Sequence, residues 1–209
     1  DIILSVNKND TTYFKDKFSA VTTELISLFH ENNSINILKG KGNYALYHGN
    51  LEVSENYKAA EYLIKEVFSK LKVPFIIAGK NPPAHIAELA KQYNWIQLIA
   101  NPENGKMQEL IREAHVHTLI TFQPTGLKLK LLNTLFNGRF IIANPHMLHG
   151  TTLHNTCYMA ENPSEIINTI ENLFEKQFTD VDIKTRELSV KNYSNSYNIK
   201  QLTKLIFND

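Results

Sequence analysis

The 209-residue chain is 43% hydrophobic, 21% charged and 10% aromatic, enough apolar material for one good core or two small ones and too much for disorder as the main state. Its 22 Lys and Arg against 21 Asp and Glu leave a net charge of +1, so no global field draws the molecule to nucleic acid or to an acidic membrane, and an anionic ligand must be met locally. The single cysteine, Cys157, excludes an internal disulfide and a thiolate zinc cluster and fits a reducing, cytoplasmic setting.

From the start, Ile2-Ile3-Leu4-Ser5-Val6 reads as a strand rather than a signal peptide, and the first residue, Asp1, suggests a piece of a longer protein. Asp10 is expected to cap a short helix through Phe18, and Glu24 to Phe29 to form a second strand of a sheet whose remainder lies elsewhere. Ile35 to Gly42, with Lys39-Gly40-Lys41-Gly42, reads as a linker. After Asn43 a rhythm sets in: a short apolar run, a polar hinge, a helical pattern, then another run, which predicts a parallel sheet flanked by helices. The strands are Tyr44 to Tyr47, Pro74 to Ala78, Trp95 to Ile99, Thr118 to Phe122 and Arg139 to Ala143, with Thr156 to Met159 as an edge. Between them, Ala60, Leu63, Ile64, Val67, Phe68 and Leu71 fall on one helix face, with Ser54 as the expected cap. Further helices are predicted over Ala84 to Tyr93, Lys106 to Ala114, Leu127 to Phe136 and Ser164 to Phe174. Ile183 to Val190 and Ile199 to Phe207 complete the series. No apolar run is long enough to span a bilayer, which takes about 20 residues.

Ligands of open parallel sheets bind beyond the carboxyl ends of the strands, so the residues that close each strand matter most. His48-Gly49-Asn50 and Gly79-Lys80 recur at equivalent ends of neighbouring strands; each glycine is either a turn residue or a place where backbone approaches a ligand. The strongest local feature is Phe122-Gln123-Pro124-Thr125-Gly126-Leu127, where a strand runs into a turn that opens a helix. The amides of Thr125, Gly126 and Leu127 are candidates for a diphosphate, with Lys128 or Lys130 supplying charge. On one helix, residues two apart point about 200° from each other, so only one lysine is expected at the ligand, and Lys130 shares its face with Asn133. No P-loop and no Gly-x-Gly-x-x-Gly occurs. The histidine pairs, His115 with His117 and His146, His149 with His154, lack metal-ligand spacing, so no metal and no cofactor is expected. Cys157 reads as packing rather than nucleophile.

The order of these motifs, Leu46-Tyr47-His48-Gly49-Asn50-Leu51, then Phe75 to Lys80, then Pro124 to Gly138, resembles the C-terminal, donor-binding half of GT-B glycosyltransferases of the large group-1 family. The resemblance covers most of residues 44 to 175, and Asn137-Gly138-Arg139-Phe140-Ile141-Ile142 occupies the place of that family's Gly-x-Pro-Val-Val. It implies a Rossmann-like, doubly wound α/β domain with remnants of a second, N-terminal domain. Residues 1–42 would be the end of an acceptor domain plus linker, 43–178 the donor domain, and 179–209 helices crossing back. It also implies a nucleotide-sugar donor, a glycan or lipid-linked acceptor, possible peripheral membrane association through the N-terminal domain, and no nucleic-acid partner. The family's paired glutamates fall on Thr125 and Asn133, neither acidic. Asn50 stands where an arginine is common, and Glu55 lies near the usual lysine. The donor-site residues implied are His48, Gly49, Asn50, Gly79, Lys80, Asn101, Thr125, Gly126, Leu127, Lys130 and Asn133, with the base near Asn101-Pro102. The leading expectation is a glycosyltransferase whose 209-residue piece is inactive alone; the alternative is a degenerate, non-catalytic binding or scaffolding domain.

Overall fold

A computed structural model describes residues 1–124 and 128–207. At the amino end, strand β1 (Ile2–Ser5), helix α1 (Lys8–Lys17) and strand β2 (Thr22–Leu25) follow one another. The two strands pair in parallel, Ile2 with Thr22 through Ser5 with Leu25, and form a sheet of their own. Helix α1 is capped by Asn7 rather than Asp10: the Asn7 side chain accepts from the Asp10 amide. Strand β2 stops at Leu25, short of the expected Phe29, because the next carbonyls are taken by side chains. Asn198 Nδ2 donates to the carbonyls of Ser27 and Leu28 at 3.1 and 3.3 Å, and Asn195 Nδ2 to that of His30 at 2.6 Å. The expected linker lies docked, with Ile37 buried, the Asn36 amide on the Phe136 carbonyl, and Gly40 bridged to Phe178.

From Ala45 onward strands and helices alternate as the apolar rhythm predicts. The elements are β3 (Ala45–Asn50), α2 (Ser54–Tyr62, running on as a π-helical stretch over Leu63–Phe68), β4 (Phe75–Lys80), α3 (Ala84–Ala90), β5 (Ile96–Ala100) and α4 (Asn104–Glu113). They continue with β6 (Val116–Leu119), α5 (Leu129–Asn137), β7 (Phe140–Ala143), α6 (Pro145–Leu148) and β8 (Tyr158–Met159). Helices α7 (Pro163–Phe174), α8 (Asp180–Val190) and α9 (Asn195–Phe207) complete the chain. The six strands from β3 form one all-parallel sheet in the order β5-β4-β3-β6-β7-β8. Two successive strands are added on one side of β3, then three on the other, which is the doubly wound arrangement. Both faces are covered, as a parallel sheet requires. Ala45, Tyr47, Phe75 and Ile77 pack with α2 and α7 on one side, Leu46 and Ala78 with Leu110 and Ile111 of α4 on the other.

Several boundaries depart from expectation. Strands β3 and β4 run through His48-Gly49-Asn50 and Gly79-Lys80, because Gly49 pairs with Gly79 and Asn50 with Lys80 in the ladder. Strand β6 ends at Leu119 rather than Phe122. The Asn144 side chain accepts from the Thr121 amide at 3.2 Å and donates to its carbonyl at 2.7 Å, which ends the ladder there. Helix α5 begins at Leu129, two residues after the expected start, and Ser54 is the first residue of α2 behind Val53, which makes no side-chain cap bond. Helix α8 opens three residues early, on a capping box between Thr179 and Asp182.

Two buried arginines tie the later elements together. Arg139 Nη1 donates to the carbonyls of Arg112, Glu113 and Ala114 at 2.8 to 3.0 Å, closing the carboxyl end of α4. Arg186 of α8 does the same for α5, reaching Leu135 and Gly138 from Nη1 and Arg139 from Nη2 at 3.0 to 3.3 Å. Cations placed on the exposed carbonyls of a helix end oppose its dipole and fill orphan acceptors.

Candidate functional site

The direction of strand addition reverses between β3 and β6, and a crevice opens beyond the carboxyl ends of these strands. Two cavities lie there and share Leu129 and Lys130. One, of about 350 Å³, is lined by Leu28, Gly49, Asn50, Glu55, Asn56, Lys128, Leu129 and Lys130. The other, of about 330 Å³, is lined by Phe29, His30, Glu31, Asn32, His48, Leu129, Lys130 and Asn133. One wall is therefore the end of β3 and the start of α5; the other is the segment Leu28–Asn32. That segment is held in place by α9 through Asn195 and Asn198, and by His30, which donates from Nε2 to the Tyr193 carbonyl at 2.9 Å.

Lys130 is the centre of the arrangement. Its Nζ donates to Asn56 Oδ1 at 2.8 Å and to the Tyr47 hydroxyl at 3.3 Å, and lies 5.0 Å from the centre of the Tyr47 ring. Asn56 is in turn fixed by donating from Nδ2 to the Asn50 carbonyl at 2.8 Å, so the ammonium is positioned by the end of β3 itself. Burial pulls the Lys130 pKa down to about 8, Glu55 working against that and Lys128 adding to it. Lys128 is not on the helix. Its backbone is extended at φ −90° and ψ 113°, as the N-cap of α5, so the expected 200° separation between the two lysines does not apply and both line the same cavity. Lys128 Nζ sits 3.2 Å from Glu55 Oε1, which also accepts from the Thr121 hydroxyl.

His48 contributes to the second cavity while being 5% exposed. The Thr134 hydroxyl donates to the Lys130 carbonyl at 2.8 Å, so His48 carries its proton on Nε2 and donates to Thr134 Oγ1 at 2.9 Å, leaving Nδ1 as an acceptor. Burial, and then Lys130, hold its pKa down at about 3, so it is a neutral hydrogen-bonding group and not a proton shuttle at neutral pH. Asn133 Oδ1 accepts from Asn137 Nδ2 at 2.8 Å, a contact that orients its amide.

Of the residues singled out in the sequence, the crevice thus gathers His48, Gly49, Asn50, Lys130 and Asn133. Gly79 is explained by packing: a Cβ there would meet the Gly49 carbonyl oxygen at 2.0 Å, whereas one at Gly49 would meet only the Asn56 side chain at 3.3 Å. Lys80 and Asn101 stand on the same sheet edge, in the ladder beside Asn50 and just past β5, but line neither cavity. Thr125, Gly126 and Leu127 lie outside the described residues. The structure also brings in Lys128, which the sequence offered as the alternative to Lys130, and adds Glu55, Asn56 and the Leu28–Asn32 wall. Glu55 and Asn56 open the helix that follows the switch-point strand, a position that would have found them; the wall is remote in sequence and had no local signal. Among the described residues no group of three His, Cys, Asp or Glu is placed to hold a metal ion. His115 accepts from the Gly42 amide on Nδ1 and bonds the Leu173 carbonyl through Nε2, and burial pushes the Cys157 thiol up to about 11. No described helix is long and apolar enough to cross a membrane.

The fold is that of a doubly wound α/β domain with an open crevice at its switch point. No family model matches the chain, and no curated protein matches it. Solved structures match nearly all of it. The GtfA/B complex is matched over 100% of this chain and 46% of that one, with a TM-score of 0.68 and 11% identity. A variant of TarM from S. aureus, in complex with fondaparinux, α-GlcNAc-glycerol and UDP, is matched over 98% and 43%, with a TM-score of 0.68 and 16% identity. A glycosyltransferase from Rickettsia africae ESF-5 is matched over 98% and 62%, with a TM-score of 0.71 and 15% identity. The chain spans 43% to 62% of the last two structures, and 46% of the first. This chain has a GT-B glycosyltransferase fold.

Proposed function

We propose that the chain is the donor-binding portion of a glycosyltransferase that moves a sugar from a nucleotide-sugar donor to a hydroxyl of a glycan or lipid-linked saccharide. The observation that carries this reading is Lys130, a cation fixed by Asn56 and Tyr47 at the switch point of a fold whose solved relatives include a UDP complex. The donor diphosphate lies against Lys130 and Asn50, and Asn133 and His48 offer hydrogen bonds to hydroxyls in the adjoining cavity. Charge on the leaving diphosphate is stabilised by fixed dipoles and Lys130 rather than by a metal. Residues 1–42 belong to the end of an acceptor domain and its linker, 43–178 form the donor domain, and 179–209 reach back toward the first. We place the reaction in the cytoplasm, at the membrane periphery where the acceptor is lipid-linked.

Calorimetric titration with UDP, GDP and ADP in the presence of a chelator tests the reading. One-site binding of at least one diphosphate is expected; silence across the panel rejects donor binding, and binding that needs added metal rejects the metal-free site. A second reading, a domain kept for binding alone, is favoured by the neutral side chains at Thr125 and Asn133 and by the Glu55 carboxylate in the cavity. It predicts diphosphate binding with no sugar transfer from a labelled nucleotide sugar even when an acceptor domain is supplied, where the first reading predicts transfer.

A further inference from the structure

Lys128 and Lys130 face one cavity in different electrostatic company. Lys128 and Glu55 form an ion pair at 3.2 Å with side chains only 16% and 14% exposed, and the Thr121 hydroxyl holds the carboxylate from the other side. Among the described residues the hydrogen-bond partners of Lys130, Asn56 and Tyr47, are neutral, and Glu55 acts on it only through space. The three charged residues lining the cavity, Glu55, Lys128 and Lys130, leave one net positive charge. The Glu55–Lys128 pair carries no net charge, and its two members act on Lys130 in opposite directions, so an incoming anion meets Lys130 as the one uncompensated cation unless the pair is broken. The carboxylate itself sits in the first turn of α2, where the helix dipole favours it.

We propose that Glu55 sets the charge selectivity of this cleft: by engaging Lys128 it leaves a single cation for the ligand and lowers the affinity for multiply charged phosphates. The proposal rests on the reading of the cleft as a phosphate site. It predicts that the penalty grows with ligand charge, is absent for an uncharged nucleoside, and is carried by Lys128. The identity of the nucleotide does not enter, since Glu55 and Lys128 line the cavity under Asn50 and not the neighbouring one.

The test is calorimetry at pH 7 and fixed ionic strength with inorganic pyrophosphate, UDP, UMP and uridine, on the wild type, Glu55→Gln, Lys128→Ala, Lys130→Ala and the Glu55→Gln/Lys128→Ala double variant. Glutamine keeps the shape of Glu55 and can still accept from Thr121. Glu55→Gln is expected to tighten pyrophosphate and UDP about tenfold, UMP less and uridine not at all. Lys128→Ala alone, which leaves Glu55 unpaired, is expected to weaken pyrophosphate less than Lys130→Ala does, and the double variant is expected to lose the gain of Glu55→Gln. No gain for pyrophosphate in Glu55→Gln, including an absence of binding, overturns the proposal. So does an equal gain for uridine, or a loss in Lys128→Ala as large as in Lys130→Ala. A pyrophosphate gain without UDP binding by any variant upholds the role of Glu55 and rejects the nucleotide-donor reading.

Discussion

The proposed diphosphate binding turns on Lys130, whose ammonium is held at the end of β3 by Asn56 and Tyr47. Its replacement by alanine is expected to weaken nucleoside diphosphate binding by about 1.5–3 kcal/mol, the range for a hydrogen bond to a charged group, as read by calorimetry. Its pKa of about 8 sets a sign: Lys130 is protonated below that value, so diphosphate affinity is expected to hold near neutrality and to fall as pH rises past 8. Glu55 and Lys128, the charged groups beside it, pull its pKa in opposite directions. His48 and His117 give a second residue-scale prediction. Both are buried and held neutral by that burial, His48 at about 3 and His117 well below its ordinary value. With the folded pKa depressed below the unfolded 6.5, the unfolded chain binds more protons between the two values, so stability is lost as pH falls below 6.5. Urea unfolding at pH 6.5 and 5 is expected to differ by roughly 1.5–2 kcal/mol from His48, with His117 adding in the same direction. A His48→Gln variant, which retains a donor for Thr134, is expected to show a shallower loss.

At the level of elements, α8 is locked to the end of α5 by Arg186. Removing its side chain leaves the carbonyls of Leu135, Gly138 and Arg139 without these bonds in a dry setting. Arg186→Ala is expected to cost at least about 2 kcal/mol in denaturant unfolding, and Arg186→Lys to recover only part, since an ammonium lacks the planar fork that reaches three acceptors. Strand and helix identity was readable from the apolar rhythm because burial on both faces of β3, β4, β6 and β7 leaves runs too apolar for anything else. Where elements stop was less readable, since the stops depend on side chains distant in sequence: Asn144 ends β6, Asn198 ends the path of β2, and a Gly49–Gly79 pairing carries β3 and β4 past their apparent turns. The same holds for the site. Strand-end residues were visible as Gly and polar closures, whereas the ion pair of Glu55 with Lys128 joins positions 73 apart and leaves no local trace.

The whole molecule is unevenly built. The six-stranded sheet is enclosed by helices, while β1 and β2 form a parallel pair by themselves with Ile2, Leu4 and Leu25 at 43% to 48% exposure. A two-stranded pair is marginal in water, so its amides are expected to exchange with deuterium well before those of β3 and β4, where opening approaches global unfolding. Equal protection across both sheets would contradict this. Segment Leu28–Asn32 links the two regions and walls the crevice, and its tie to α9 makes the site depend on both ends of the chain. The central claim, that a nucleoside diphosphate binds at the switch point against Lys130, is tested most directly by titrating UDP into isotopically labelled protein and following backbone amide resonances. Saturable shifts are expected at Gly49, Asn50, Asn56 and Lys128 to Asn133, with little change along β5 and α3, and their loss in Lys130→Ala. Shifts centred on β5 and α3, or no shift at millimolar UDP, would contradict it.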